Sequence, residues 1–171
     1  MIGIPIGLLA TNAGEWFIHK HILHGLGRRS KDSYWNFHLA EHHLAAAQLG
    51  GRDPVYEKLR WRWDAQTKEL LALAMAAVPQ VLIFPVAPFF AGTVLYGIGN
   101  YYYVHRRSHL DPEWAKKHVP WHYDHHMGRN PESNWCVTRP WFDLLVGTRE
   151  PYLGTPQEAA DRARNAPRAS A

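Results

Sequence analysis

"LLALAMAAVPQVLIFPVAPFFAGTVLYGIGNYYYV", residues 70–104, runs for 35 residues without an Asp, Glu, Lys or Arg. A membrane-crossing helix needs about 20 apolar residues at about 1.5 Å each, so the run is too long for one crossing and slightly short for two. Pro85 and Pro88 divide it, because proline removes a backbone donor and breaks a helix interior. The stretch therefore predicts two membrane helices, over roughly 67–84 and 89–109, with a tight turn between them and charged ends beyond the bilayer. Upstream, "MIGIPIGLLATNAG" carries no charge before Glu15 and lacks the basic n-region and cleavage site of a secretory signal. Residues 2–25 are read as a third membrane-embedded helix, short at its start. The expected fold is all-α, an integral membrane helical bundle. Every Lys and Arg lies outside the apolar runs, so the positive-inside rule puts the basic segments on the cytoplasmic side, and a histidine-rich cap with them.

At 171 residues the chain is one domain by length. Its 19 Lys and Arg against 15 Asp and Glu, a net charge of +4, would permit an anionic partner, but the excess is too small to select one. No motif points to nucleic acid, and none is expected as a partner. A single cysteine, Cys136, excludes an intramolecular disulfide. Within residues 26–66 and into the next helix, "VYEKLRWRWDAQTKELLAL" reads as an amphipathic helix at the membrane interface, with Tyr56, Trp61 and Trp63 at headgroup level. "DPEWAKKHVPWHYDHHMG" opens with a helix N-cap pattern at Asp111 and Pro112. Residues 153–171 are small, polar and proline-bearing and are expected to be a disordered tail, which leaves 1–152 as the membrane domain.

The chemistry is in the twelve histidines. Ten of them fall into four groups: His19 with His24, His38 with His42 and His43, His105 with His109, and His122 with His125 and His126. Residues three or four apart share a helix face, so His105 and His109, and His122, His125 and His126, can each aim imidazoles at one centre. A zinc ion takes about four ligands, so about ten histidines imply two metals. A nitrogen-rich shell suits iron, zinc, copper or nickel rather than calcium or magnesium. A pH sensor would not need helical spacing. His21 faces away from His19, and His118 is left outside the set.

The order H-x4-H, H-x3-HH, H-x3-H, H-x2-HH, with an apolar hairpin between the second and third boxes, resembles the fatty acid hydroxylase superfamily, relatives of sterol desaturases and carotenoid hydroxylases. "NWCVTRPWFDLLVGT", residues 134–148, looks like that superfamily's closing stretch, a strand-like turn before an aromatic-Asp pair and a final Gly-Thr. The similarity spans roughly residues 10–150. It implies an enzyme with a membrane-bound di-iron centre, isolable with zinc, that uses dioxygen to hydroxylate or desaturate a lipid C–H bond. It implies the ten box histidines as ligands. Such a cycle needs electrons from an external donor, a separate electron-transfer protein, for which Arg60, Arg62, Lys116 and Lys117 offer a basic docking face. A membrane metal-dependent hydrolase or a non-catalytic membrane metal-binding protein are the alternatives.

The supporting residues divide as follows. Glu15 is either a carboxylate orienting an imidazole N–H or a snorkelling surface residue, and Asp124 and Glu41 invite the same pair of readings. Asp143 is expected to cap or pair structurally, and Tyr101, Tyr102 and Tyr103 to form an interfacial aromatic belt.

Overall fold

A computed structural model of the chain describes residues 1–165. Helix α1 (Gly3–Phe17) runs without a break into a π-helical stretch, Ile18–Leu26, and ends in a single turn, α2 (Gly27–Arg29). A 3₁₀ turn at Tyr34–Asn36 leads to a second π-helical stretch, His38–His43, which passes into α3 (Leu44–Gln48). After a 3₁₀ turn at Pro54–Tyr56 come the two long helices α4 (Ala65–Ile83) and α5 (Pro88–Leu110). Then follow α6 (Pro112–His118), α7 (Pro120–Met127), α8 (Trp141–Val146) and α9 (Pro156–Asn165). No strand occurs among the described residues, so the stretch before α8 is irregular rather than strand-like.

Helices α1, α4 and α5 pack as a three-helix unit with α5 in the middle. The α1–α5 contact is close because glycine makes it so. A Cβ on Gly7 would stand 2.8 Å from Thr93 Cβ, and one on Gly97 would fall on the Thr11 side chain. The short elements cover the C-terminal end of α5, where all four histidine groups converge. Helix starts follow the sequence: Asp64 caps α4 by accepting from Thr67 N–H at 3.0 Å, and Asp111 caps α6 by accepting from Trp114 N–H at 3.0 Å.

Among the described residues no helix is long and apolar enough to cross a membrane. This overturns the expected integral membrane bundle and, with it, the cytoplasmic placement of the histidine cap. The helices themselves fall close to the predicted limits, but their composition differs from that of spanning segments. The α-helical part of the first is only 15 residues long. Helix α4 spends its first turn on Gln66, Thr67, Lys68 and Glu69, and α5 ends in "HRRSHL". The uncharged run is thus shared between two helices and the turn at 84–87, and neither helix takes enough of it. Several apolar residues on α4, among them Met75, Val78, Val81 and Leu82, nevertheless stay exposed.

The predicted interfacial helix over "VYEKLRWRW" is absent. Residues 57–64 are irregular, and Trp61 has φ of 43°. In the tail, residues 156–165 form α9, where Glu158 pairs with Arg162 and Asp161 with Arg129. The remainder of that segment, 166–171, lies outside the described residues.

Candidate metal centre

Histidines five apart do not share a face on an α-helix, since five steps of 100° turn a side chain well away from the first. The two π-helical stretches remove that difficulty. With backbone hydrogen bonds running i to i+5, residues five apart stack on one face. His19 and His24 lie in the first stretch and His38 and His43 in the second, and all four aim into one cluster. His105 and His109, and His122 and His126, are four apart on regular helices and need no such adjustment.

The ligand atoms form two groups. One comprises His19, His24, His38, His43 and His125; the other comprises His42, His105, His109 and His126. Within each, one nitrogen per residue lies within 4.8 Å of all the others, a spacing that can hold a metal ion. His122 adjoins the second group, with its Nε2 3.0 Å from His109 Nε2. All ten residues named from the sequence are therefore brought together, His38 included, whose Nε2 is 2.9 Å from His19 Nε2. His21 and His118 are not: His21 packs edge-on against Trp16, and His118 stacks on Trp114.

What fixes the rings lies on their far side. His42 Nδ1 donates to Asp53 Oδ2 at 2.8 Å, and His105 Nδ1 donates to Glu69 Oε1 at 2.5 Å. Backbone carbonyls serve three more: Trp135 O for His19 and Ser133 O for His125, both at 2.7 Å, and Gly51 O for His109 at 2.8 Å. Gly51 has φ of 99°, a conformation that lets this carbonyl turn toward the ring and that other residues rarely adopt.

These tethers determine the chemistry. A neutral imidazole carries one N–H, so each ring that donates from Nδ1 has a bare lone pair at Nε2. In their neutral forms His42 and His105 each commit the one proton to a carboxylate, yet their Nε2 atoms are 3.2 Å apart. Two lone pairs cannot hydrogen-bond. A cation between them resolves the contact, because metal–nitrogen bonds of about 2.0–2.1 Å set neighbouring ligand atoms about 3 Å apart. His126 makes the same point differently: it is buried and neither ring nitrogen has a hydrogen-bond partner. Burial and mutual proximity hold eight of the imidazoles neutral. His125 is pushed down to about 4, mainly by burial, and His19, His38, His42, His43, His109, His122 and His126 lie well below the ordinary value. Neutral imidazole is the metal-binding form.

The supporting residues expected from sequence take other places. Glu15 neither orients an imidazole nor reaches solvent. It accepts from the backbone N–H groups of Val137 and Thr138 at 3.0 and 2.9 Å and from the Thr138 hydroxyl at 2.5 Å, and burial pushes its carboxyl up to about 7. Asp143 accepts from the N–H groups of Trp135 and Cys136 at 2.9 and 2.8 Å, the structural role expected of it. Together they pin the buried, non-helical segment 133–138 that presents the Ser133 and Trp135 carbonyls to His125 and His19. Asp124 pairs with Arg149 at 2.7 Å, and Glu41 pairs with Lys68 at the surface. Tyr101 is no belt residue; it stacks on His105 with ring centroids 5.4 Å apart, while Tyr102 Oη accepts from Gln66 at 2.9 Å.

The carboxylates that do orient imidazoles, Asp53 and Glu69, were missed. The available signals were slight: Asp53 precedes Pro54 at a helical turn, and Glu69 is the last charge before the apolar run.

Against the histidines lies an apolar cavity of about 310 Å³ between α1, α4 and α5. His19, His38, Tyr56, Glu69 and Tyr101 border it at the histidine end.

Compared with known proteins, the chain matches no family model, no curated protein and no solved structure.

Proposed function

We propose that this chain is an oxidoreductase that holds two iron ions, one in each histidine group, and uses dioxygen to hydroxylate or desaturate a C–H bond of a lipid. The observation that carries the proposal is the meeting of ten clustered imidazoles, nine of them buried and His43 half-buried, with an apolar cavity. The order of the histidine boxes, with its resemblance to the fatty acid hydroxylase superfamily, supports the choice of reaction, and the all-nitrogen donor set agrees with iron. Iron bound there would supply the activation of dioxygen.

The rest is the work of this chain's residues. Asp53, Glu69 and three backbone carbonyls hold Nδ1 of five rings as the donor and leave Nε2 facing the groups, so those five rings need no reorganisation to act as ligands. The cavity binds an apolar substrate and excludes water from the histidine end. An external donor, a separate electron-transfer protein, delivers the electrons. A hydrolase would want a general-base carboxylate facing the ions. Asp53 and Glu69 instead sit behind the ligands, on the Nδ1 side, which argues for the oxidative reading.

The test is metal content by elemental analysis of protein reconstituted anaerobically with iron, wild type beside His126→Ala. About two ions per chain are expected in wild type, with a clear loss in the variant. Lipids from aerobically grown cells with and without the protein should then differ by an added hydroxyl or double bond. One ion or none, or an unchanged His126→Ala, overturns the proposal.

A further inference from the structure

One wall of the cavity is a stripe of α4 made by Glu69, Ala72, Leu73, Ala76 and Gln80. These positions are i, i+3, i+4, i+7 and i+11, a single face of the helix. Glu69 marks the histidine end through its bond to His105. Eleven residues of helix place Gln80 about 16 Å further along, three turns away on the same face. Across the cavity α5 repeats the direction, with Tyr101 near the histidines and Phe90 remote from them, and with Val94 and Ile98 between.

The polar groups of this lining are spoken for, with one exception away from the histidines. The Thr11 hydroxyl donates to Gly7 O at 2.8 Å, Glu15 is saturated by residues 137 and 138, and Tyr56 donates to Glu69 at 2.7 Å. Gln80 Oε1 is shielded from solvent and has no hydrogen-bond partner. A buried carbonyl left unmatched in an apolar site is costly, and a site so built discriminates for the ligand that satisfies it.

We propose that Gln80 determines specificity. The cavity takes a long apolar molecule with one hydrogen-bond donor, a hydroxyl or N–H, at the end remote from the histidines, and Gln80 Oε1 accepts from it. With C–C bonds near 1.5 Å, a span of about 16 Å corresponds to an extended chain of roughly 12 or 13 carbons. The distance from donor to histidines then selects which carbon is presented. This rests on the di-metal reading only in taking the histidine end as the reacting end.

The experiment is equilibrium dialysis of the metal-loaded full chain against labelled 1-dodecanol and its methyl ether, which cannot donate. Wild type should bind the alcohol about 10-fold or more tightly than the ether. Gln80→Leu and the unbranched Gln80→Met should bind both alike, and Ala76→Phe, which fills the middle of the cavity, should bind neither. Equal binding by wild type, a preference kept in both Gln80 variants, or Ala76→Phe binding like wild type overturns the inference. Metal analysis of the same samples separates the two claims. Preference without metal sinks the di-metal reading and leaves Gln80 its role; metal without preference does the reverse.

Discussion

Glu69→Gln tests the arrangement behind the ligands with almost no change in shape. The carboxylate is nearly buried, its side chain 8% exposed; it accepts from His105 Nδ1 at 2.5 Å through Oε1 and from the Tyr56 hydroxyl at 2.7 Å through Oε2. The amide can still accept one of these bonds, but the charge that raises the basicity of His105 Nε2 is gone. Losing such a partner typically costs 10- to 100-fold in metal affinity, or about 1.4–2.7 kcal/mol. Only one group should feel it. His105 belongs with His42, His109 and His126, so a chelator titration followed by elemental analysis should strip the ion of that group at 10- to 100-fold lower chelator. The ion among His19, His24, His38, His43 and His125 should titrate as in wild type. Glu41→Gln, which alters a surface pair with Lys68, is the matched control and should change neither. In the metal-free protein the variant leaves one buried donor, His105 Nδ1–H or the Tyr56 hydroxyl, unmatched at about 1–3 kcal/mol, so the melting temperature should fall modestly while the circular dichroism of the folded state stays that of wild type, which separates lost affinity from lost fold. Release of both ions together, or a titration identical to wild type, would refute the assignment of Glu69 to one ion.

Elemental analysis of His43→Ala should show loss of the ion in its group, because His43 Nε2 lies within 3.2 Å of the Nε2 atoms of His24, His38 and His125, while His21→Ala and His118→Ala retain full metal content. In urea unfolding of the metal-free protein, stability should fall as pH drops below the ordinary histidine value of 6.5. The unfolded chain takes up protons there that the buried imidazoles refuse; His125, held to about 4, accounts for about 3 kcal/mol by pH 4. Glu15 works in the opposite direction: its folded value of about 7 exceeds 4.5, so its burial costs stability as pH rises between the two, and Glu15→Gln should steepen the acid loss. Gly97→Ala should lower stability by about 1–3 kcal/mol through collision with Thr11, whereas Gly99→Ala on the same helix, where a Cβ meets nothing within 4 Å, should not destabilise; melting temperatures decide.

The legible part of this molecule is what a helix determines locally. The break at Pro85 and Pro88, the cap at Asp111 and the i, i+4 pair His105–His109 follow from backbone geometry and hold as read, whereas His122, His125 and His126, expected at one centre, divide, with His125 joining the other group. The spacing of His19 to His24 and of His38 to His43 could be read only as a pattern, because five residues share a face only if the helix widens to π, which spacing alone does not announce. Asp53 and Glu69 were invisible for a different reason: their partners are 11 and 36 positions away, and nothing local marks a carboxylate that faces an imidazole after folding. The apolar run misled because hydropathy counts residues without asking what they face. Ala72, Leu73 and Ala76 line the apolar cavity, so part of what reads as a spanning surface is a cavity wall.

The two His-His pairs explain why the groups are neighbours rather than separate sites. Adjacent residues on a helix point about 100° apart, so one pair cannot serve one ion well. It can serve two. His42 goes to the group with His105 and His109 while His43 goes to the group with His19 and His24; His126 and His125 divide in the same way. Each pair is then a short covalent bridge from one group to the other, and the bridges come from elements on different parts of the chain. The His43 and His126 rings, which belong to different groups, lie with centroids 4.2 Å apart, so the groups abut. A single group of four or five histidines could have been built from any two helices. Holding two groups in contact requires dipeptides that straddle them, and that requirement answers why histidines stand side by side at both 42–43 and 125–126.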